Sequence, residues 1–310
     1  MTPAEPAAAP AIEAPPEPRK PEAWHAFMAF GVAMAATIAL GAVVGVVLLV
    51  FHFDILKIAG RDPAAFQTRF MELYSRGPTV AITITLNELL IAAVALFAAD
   101  MSGPSITERL RLGPSALPAW AYLVAPVGML AAGDAASAIV RLIGLPSVSL
   151  PVFHEASHGA PATFGVLLVS GTIGAGFAEE TLFRGYMASV LGGRWSRRAA
   201  ILGTAICFGL MHLDLAHTPI AFAMGLYLGV IAERAGSIRV TMFAHAVNNG
   251  ASFLLDRYSI DDVAALSTAA PSLSEPAALM VFAIVGALVC AGCLLLLLRP
   301  RTPSAAAATA

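Results

Sequence analysis

The chain has 310 residues, 58% hydrophobic and only 12% charged, with a formal net charge of −2. That charged fraction is about half of what soluble domains carry, and a mean hydropathy of +0.79 leaves too little polarity to cover a globule. A soluble protein is therefore excluded. So is a nucleic-acid partner, because there is no basic excess to neutralise phosphates.

Residues 1–23 are Ala/Pro/Glu low complexity, with no basic stretch ahead of an apolar one, and are expected to be a disordered tail rather than a signal peptide. Eight apolar segments follow, at about 24–52, 79–99, 118–144, 162–190, 198–213, 218–234, 238–255 and 277–298. At about 20 residues per crossing they predict an all-α, polytopic membrane protein of about eight transmembrane helices, filling 24–299 as one membrane domain. The second, fifth, sixth and seventh segments are short or carry polar residues, and are expected to be tilted, broken or half-buried within protein. The Ala-rich end, 300–310, is expected to be a second disordered tail.

Lys and Arg near the segment ends set the orientation. Arg19, Lys20, Arg109, Arg111, Arg194, Arg197, Arg198, Arg234, Arg239, Arg299 and Arg301 gather on one side. Lys57, Arg61, Arg69, Arg76, Arg257 and Arg141 gather on the other. Both termini are thus expected in the cytoplasm, with the protein multi-pass in the cell membrane. In the first loop, Phe66, Phe70, Leu73 and Tyr74 share one helical face, which suits a helix lying on the membrane surface. Cys207, Cys290 and Cys293 all fall in apolar runs and are expected to be buried thiols.

An ionisable group at membrane depth costs a few kcal/mol even on mild scales, so it faces protein or water. Such groups collect in three consecutive regions. The first holds Glu179, Glu180 and Arg184, with Glu180 and Arg184 four apart on one helical face and Glu179 turned about 100° away. Gly171, Gly174, Ala175 and Ala178 give the same segment a face of small residues that admits a close neighbour. The second holds Phe208 and His212. The third holds His245 and Asn249, again four apart. A convergent set of Glu, two His and Asn suits hydrolysis. The carboxylate takes a proton from water, and imidazole or amide N–H groups face a developing oxyanion. Two imidazoles and a carboxylate would equally suit an open zinc site.

In this order on successive apolar segments, Glu179-Glu180-xxx-Arg184, Phe208-xxx-His212 and His245-xxx-Asn249 resemble the CPBP intramembrane protease family. That family includes type II CAAX prenyl endopeptidases and the bacterial Abi and bacteriocin-processing or immunity relatives. The resemblance covers about residues 165–255. It implies an eight-helix fold and an intramembrane endopeptidase cutting membrane-associated peptides or proteins, with the lipid bilayer as surroundings. Glu179 would activate water, Glu180 with Arg184 would orient the site, and His212 would help hold the water. His245 with Asn249 would stabilise the oxyanion. Family members are classed as metalloproteases and a glutamate mechanism is also argued for them. Zn2+ on Glu179, His212 and His245 and a metal-free route both stay open.

A competing pattern, His154-Glu155-xx-His158, has the HExxH spacing of zinc peptidases, which needs a helix to bring both imidazoles to one face. Pro151 before it and Gly159 and Pro161 after it predict a loop, without an evident third ligand. Three other functions compete with proteolysis at the Glu/His set. A non-catalytic immunity or scaffold protein would use the same polar cavity but has no need of a base. A proton-coupled transporter would place its ionisable groups in corresponding halves, which these do not. A site-2-type zinc protease would work through the HExxH.

Overall fold

Each of the eight apolar segments falls on a helix in the computed structural model, which describes residues 21–103, 105–258 and 275–300. The two tails expected at the chain ends lie almost wholly outside the described residues. The main helices are α1 (Ala23–Phe51), α2 (Pro63–Tyr74), α3 (Gly77–Asp100), α4 (Ala121–Leu142) and α5 (Ser149–Ser157). They continue as α6 (Pro161–Gly192), α7 (Arg197–Met211), α8 (His217–Ala235), α9 (Arg239–Arg257) and α10 (Glu275–Leu298). Among the described residues there is no strand, and α1, α3, α4, α6 and α10 are long and apolar enough to cross a membrane. The protein is an all-α, multi-pass membrane protein.

The segment at 79–99 departs from expectation. It forms a 24-residue helix, neither short nor broken, with Glu88, Ile91, Ala95 and Ala99 buried against protein. Its polar side chains do not interrupt it because Thr83 and Thr85 return their hydroxyls to carbonyls one turn back, at 2.8 and 2.7 Å. The first loop does carry an amphipathic helix, α2. Asp62 caps its N-terminus through Ala65 N–H, Phe66, Phe70 and Tyr74 stack along one side, and Leu73 is buried.

A second departure concerns the HExxH stretch, which is helical as α5 rather than a loop. The reason lies 65 residues away. Asp214 Oδ2 accepts from the backbone N–H of Val148 and Ser149 at 2.8 and 3.0 Å, and from the Ser147 hydroxyl. These bonds satisfy donors at the start of the helix, and Pro151 falls in the first turn, where its missing N–H is no loss. The other oxygen, Oδ1, accepts from Ala216 and His217 N–H and so caps α8 as well.

Of three apolar clusters among the described residues, a small one joins α3, α5 and α6 around Val80, Val152 and Leu167, and two larger ones make most of the interior. One joins α1, α3, the C-terminal half of α6 and α7 around Ile91, Phe183, Leu191 and Phe208. The other joins α4, α8, α9 and α10 around Met129, Met224, Tyr227 and Ala244. Helix α6 runs at their seam and is not uniform. Ser170–Gly174 and Thr181–Met187 are wider π-helical turns flanking the regular stretch Ala175–Glu180. Close approach at the seam depends on small residues. A Cβ on Gly176 would lie 2.9 Å from the Met242 carbonyl oxygen of α9.

Partial burial works to raise the pKa of Asp214, but hydrogen bonds from Ser149, His217, Val148 and Ser147 outweigh it and hold the carboxyl well below the usual carboxylate range. With the folded-state value below the unfolded one, the stabilisation is complete at neutral pH and fades as pH falls through the folded-state value. Asp214→Ala strands several donors and should cost about 2–4 kcal/mol. In thermal melts of detergent-solubilised protein the wild-type advantage should narrow towards about pH 3. An unchanged melting temperature would show that the junction holds without this carboxylate.

Candidate active site

The regular stretch Ala175–Glu180 presents Glu179 and Glu180 between the two π-helical turns. Such turns are frequent at functional sites because they shift the side-chain register within an otherwise continuous helix. Glu180 and Arg184 are fully buried, at 0% and 1% exposure, with Arg184 Nη1 donating to Glu180 Oε1 at 2.8 Å. The other end of the guanidinium donates to the Gly225 carbonyl of α8 at 3.2 Å, and its centre lies 4.2 Å from the Phe208 ring centroid. His245 of α9 sets Nδ1 3.1 Å from the same Glu180 oxygen, and its Nε2 lies 3.9 Å from Glu179 Oε2.

His212 follows the last residue of α7. Its Nδ1 lies 2.9 Å from the Phe208 carbonyl oxygen. A carbonyl only accepts, so Nδ1 carries the hydrogen and Nε2 keeps a lone pair. Phe208 meets both His212 and His245 edge-on, at centroid distances of 5.1 and 5.9 Å. After His212 the chain turns through Leu213, a non-glycine residue at φ 51, a left-handed conformation that costs roughly 1–2 kcal/mol. This turn delivers Asp214 to its capping position and stacks His217 on His212 with ring centroids 4.6 Å apart.

Asn249, one turn beyond His245, donates to the Gly171 carbonyl at 2.9 Å and accepts from Asn248 Nδ2. It therefore ties α9 to the first π-helical turn of α6. Of the six predicted residues, Glu179, Glu180, Arg184 and His245 form one contiguous cluster. His212 joins it through Phe208, and Asn249 lies beside it, engaged with backbone.

Sequence reasoning missed Glu88. Its residue exposure is 8%, although it sits mid-way along the membrane helix α3. Its stem packs where Gly174 has no side chain, with Cβ and Cγ 3.7 Å from where a Cβ there would stand. Oε1 is approached by Asn87 Nδ2 at 3.4 Å, and Asn87 in turn accepts from Thr37 of α1 at 2.7 Å. Glu in the apolar run TITLNELLIAAVALF was the available signal, for the same reason that singled out the other intramembrane carboxylates. Six buried side-chain N or O atoms lack a hydrogen-bond partner among the described residues, and four are here: Glu88 Oε2, Glu179 Oε2, Glu180 Oε2 and Arg184 Nε.

The donor set Glu179, His212 and His245 has the right chemistry for zinc, but the ligand atoms of the three do not gather within 4.8 Å of one another. Among the described residues such a group occurs elsewhere, at His154, His158 and Asp256.

Residues 161–251 match the family described as type II CAAX prenyl endopeptidase Rce1-like. Over this segment the chain is similar to the CAAX proteases. The matched segment contains Glu179, Glu180, Arg184, His212, His245 and Asn249, with the two π-helical turns and Asp214. Glu88 lies outside it. No curated protein and no solved structure matched the chain. At the level of the family, the activity is that of a CAAX-type intramembrane endopeptidase.

Two outcomes follow from the buried carboxylates. Arg184→Ala leaves Glu180 buried without its partner, at about 3–5 kcal/mol, and should sharply lower the yield of folded protein on size-exclusion chromatography. The double variant Glu180→Leu/Arg184→Met should recover yield but not activity. Glu88→Leu removes an incompletely paired carboxyl from a membrane helix and should raise the melting temperature while cutting proteolysis at least about tenfold. A fall in both would make Glu88 a structural residue instead.

Proposed function

We infer that the protein hydrolyses a peptide bond of a membrane-associated substrate with Glu179 as the base. The observation that carries this reading is the concentration of unpaired buried polar atoms around Glu179 in a part of the molecule otherwise packed with apolar side chains. Buried polar atoms in native proteins are nearly always paired, and a set left open in one place suits a water and a polar peptide group.

In the proposed step, Glu179 takes a proton from water as the oxygen attacks the carbonyl carbon. His212 Nε2, whose lone pair is fixed by the Nδ1 hydrogen bond to Phe208, accepts the other hydrogen of that water and orients it. Negative charge develops on the former carbonyl oxygen. His245 Nε2, when protonated, faces that charge from beside Glu179, and its ring is held in orientation by Glu180. Collapse breaks the C–N bond, and Glu179 returns its proton to the leaving amine. Glu88 supplies a second carboxyl next to the base, and Asn249 fixes the helix register on which the base stands. The excess of Arg at the Gly192 end of α6 supports an orientation with that end in the cytoplasm.

No step is routed through a metal, because the ligand atoms of Glu179, His212 and His245 are not gathered around a point. Glu179→Gln should lower cleavage of a membrane-peptide library by about 100-fold or more while the protein stays folded. Chelation should leave the rate of wild-type cleavage nearly unchanged. Persistence of cleavage in Glu179→Gln would remove the base from this position. Its loss on chelation and return on metal addition, in a protein lacking His154 and His158, would place an ion at the site.

A further inference from the structure

The HExxH stretch is left unused by the proteolytic reading, and its geometry is not that of a plain loop. Helix α5 places His154 and His158 one turn apart, with ring centroids 4.4 Å from each other. The missing third ligand comes from the far end of α9. Asp256 Oδ1 lies 2.8 Å from His154 Nδ1, and Asp256 Oδ2 lies 4.0 Å from His158 Nδ1. One ligand atom from each of the three residues falls within 4.8 Å of the others. Ligands of a tetrahedral Zn2+ bound at about 2.0–2.1 Å stand roughly 3.3 Å apart, so small side-chain rotations suffice. Glu155 is not part of the cluster.

The surroundings also suit an ion. The side chains of His154, His158 and Asp256 are 61%, 42% and 36% exposed, so an ion can reach them from water and keep a solvent ligand. The Ser157 hydroxyl donates to Asp256 and fixes the carboxylate, the outer support that metal-bound carboxylates commonly have. The His158 ring is held by the His154 carbonyl at 2.9 Å. Arg257 donates to the Ser157 and Gly159 carbonyls and stacks on Phe164 at the end of α5.

We propose that His154, His158 and Asp256 form a divalent-metal site of the zinc class, separate from the proteolytic centre, that fastens the end of α5 to the end of α9. His245, Asn249, Ser252 and Asp256 are spaced four, three and four apart, so they lie on one stripe of α9. The ion would sit about 16 Å along the helix axis from His245. Its binding steadies the helix that presents His245 without touching the reacting atoms. The proposal does not depend on which residue serves as the base.

The test is Zn2+ titration by calorimetry on chelator-treated, full-length protein in detergent, with thermal melts alongside. Wild type and Glu179→Gln should each bind one equivalent, with a Kd on the order of 1 µM or tighter, and melt higher with Zn2+. His154→Ala/His158→Ala and, separately, Asp256→Asn should each weaken binding at least about 30-fold and lose the Zn2+-dependent rise in melting temperature. Absence of binding in the wild type would overturn the site, leaving a hydrogen-bonded tether between the helices. Full-strength binding in Asp256→Asn would overturn the three-ligand arrangement in favour of the His pair alone. Binding lost in Glu179→Gln but kept in the double His variant would move the ion to the proteolytic centre.

Discussion

The buried contact between the Arg184 guanidinium and the Glu180 carboxylate is the constraint on which the rest of the site hangs. Neither charge reaches water, so each must be answered by protein, and the answers come from three neighbouring helices. The Gly225 carbonyl of α8 takes one guanidinium N–H, the face of Phe208 of α7 lies beneath the same group, and His245 of α9 shares the carboxylate. A pair of this kind adds little net stability compared with well-packed apolar residues, yet losing one partner is costly. Its effect is therefore on arrangement. It fixes where α7, α8 and α9 stand around α6, and so fixes the two imidazoles relative to Glu179.

Small residues make that arrangement reachable. Gly176 lets α9 come against α6 closely enough for His245 to meet Glu180, and Gly174 leaves room for the Glu88 stem from α3. Both helices thus bring polar groups to α6 where larger residues would have held them off. The unpaired oxygens left there run against stability, since buried polar atoms without partners are costly. The stability lost there is offset by the apolar clusters on either side, in the way active sites commonly keep groups that packing alone would reject.

The helices and the three motifs were legible because their signals are local. Apolar runs mark crossings, and Glu180–Arg184 or His245–Asn249 is a one-turn spacing readable in one helix. What escaped was non-local. Glu88 is a single acid in an apolar run, and its significance comes from Gly174, on a different helix. The helix at 149–157 depends on Asp214, so Pro151 and the flanking glycine and proline suggested a loop when read alone. Asp256 could not be recognised as a companion of His154 and His158, because it lies 102 residues beyond His154 on another helix. The π-helical turns left no readable mark either, since their residues are ordinary helix and membrane types.

Those two wider turns have a consequence for how the segment tolerates change. Each accommodates its residues by relaxing the helical pitch locally, so the number of residues between Ser170 and Met187 sets the azimuth of everything in between. A residue removed from either wide turn lets the helix close to its regular pitch with little rotation of the flanking parts, whereas a residue removed from the regular stretch Ala175–Glu180 rotates them by about 100° relative to each other. In the second case the two carboxylates would no longer face the same neighbours, although both were still present. A change of length between the two wide turns therefore acts on the whole face at once, whereas one inside a wide turn is taken up locally.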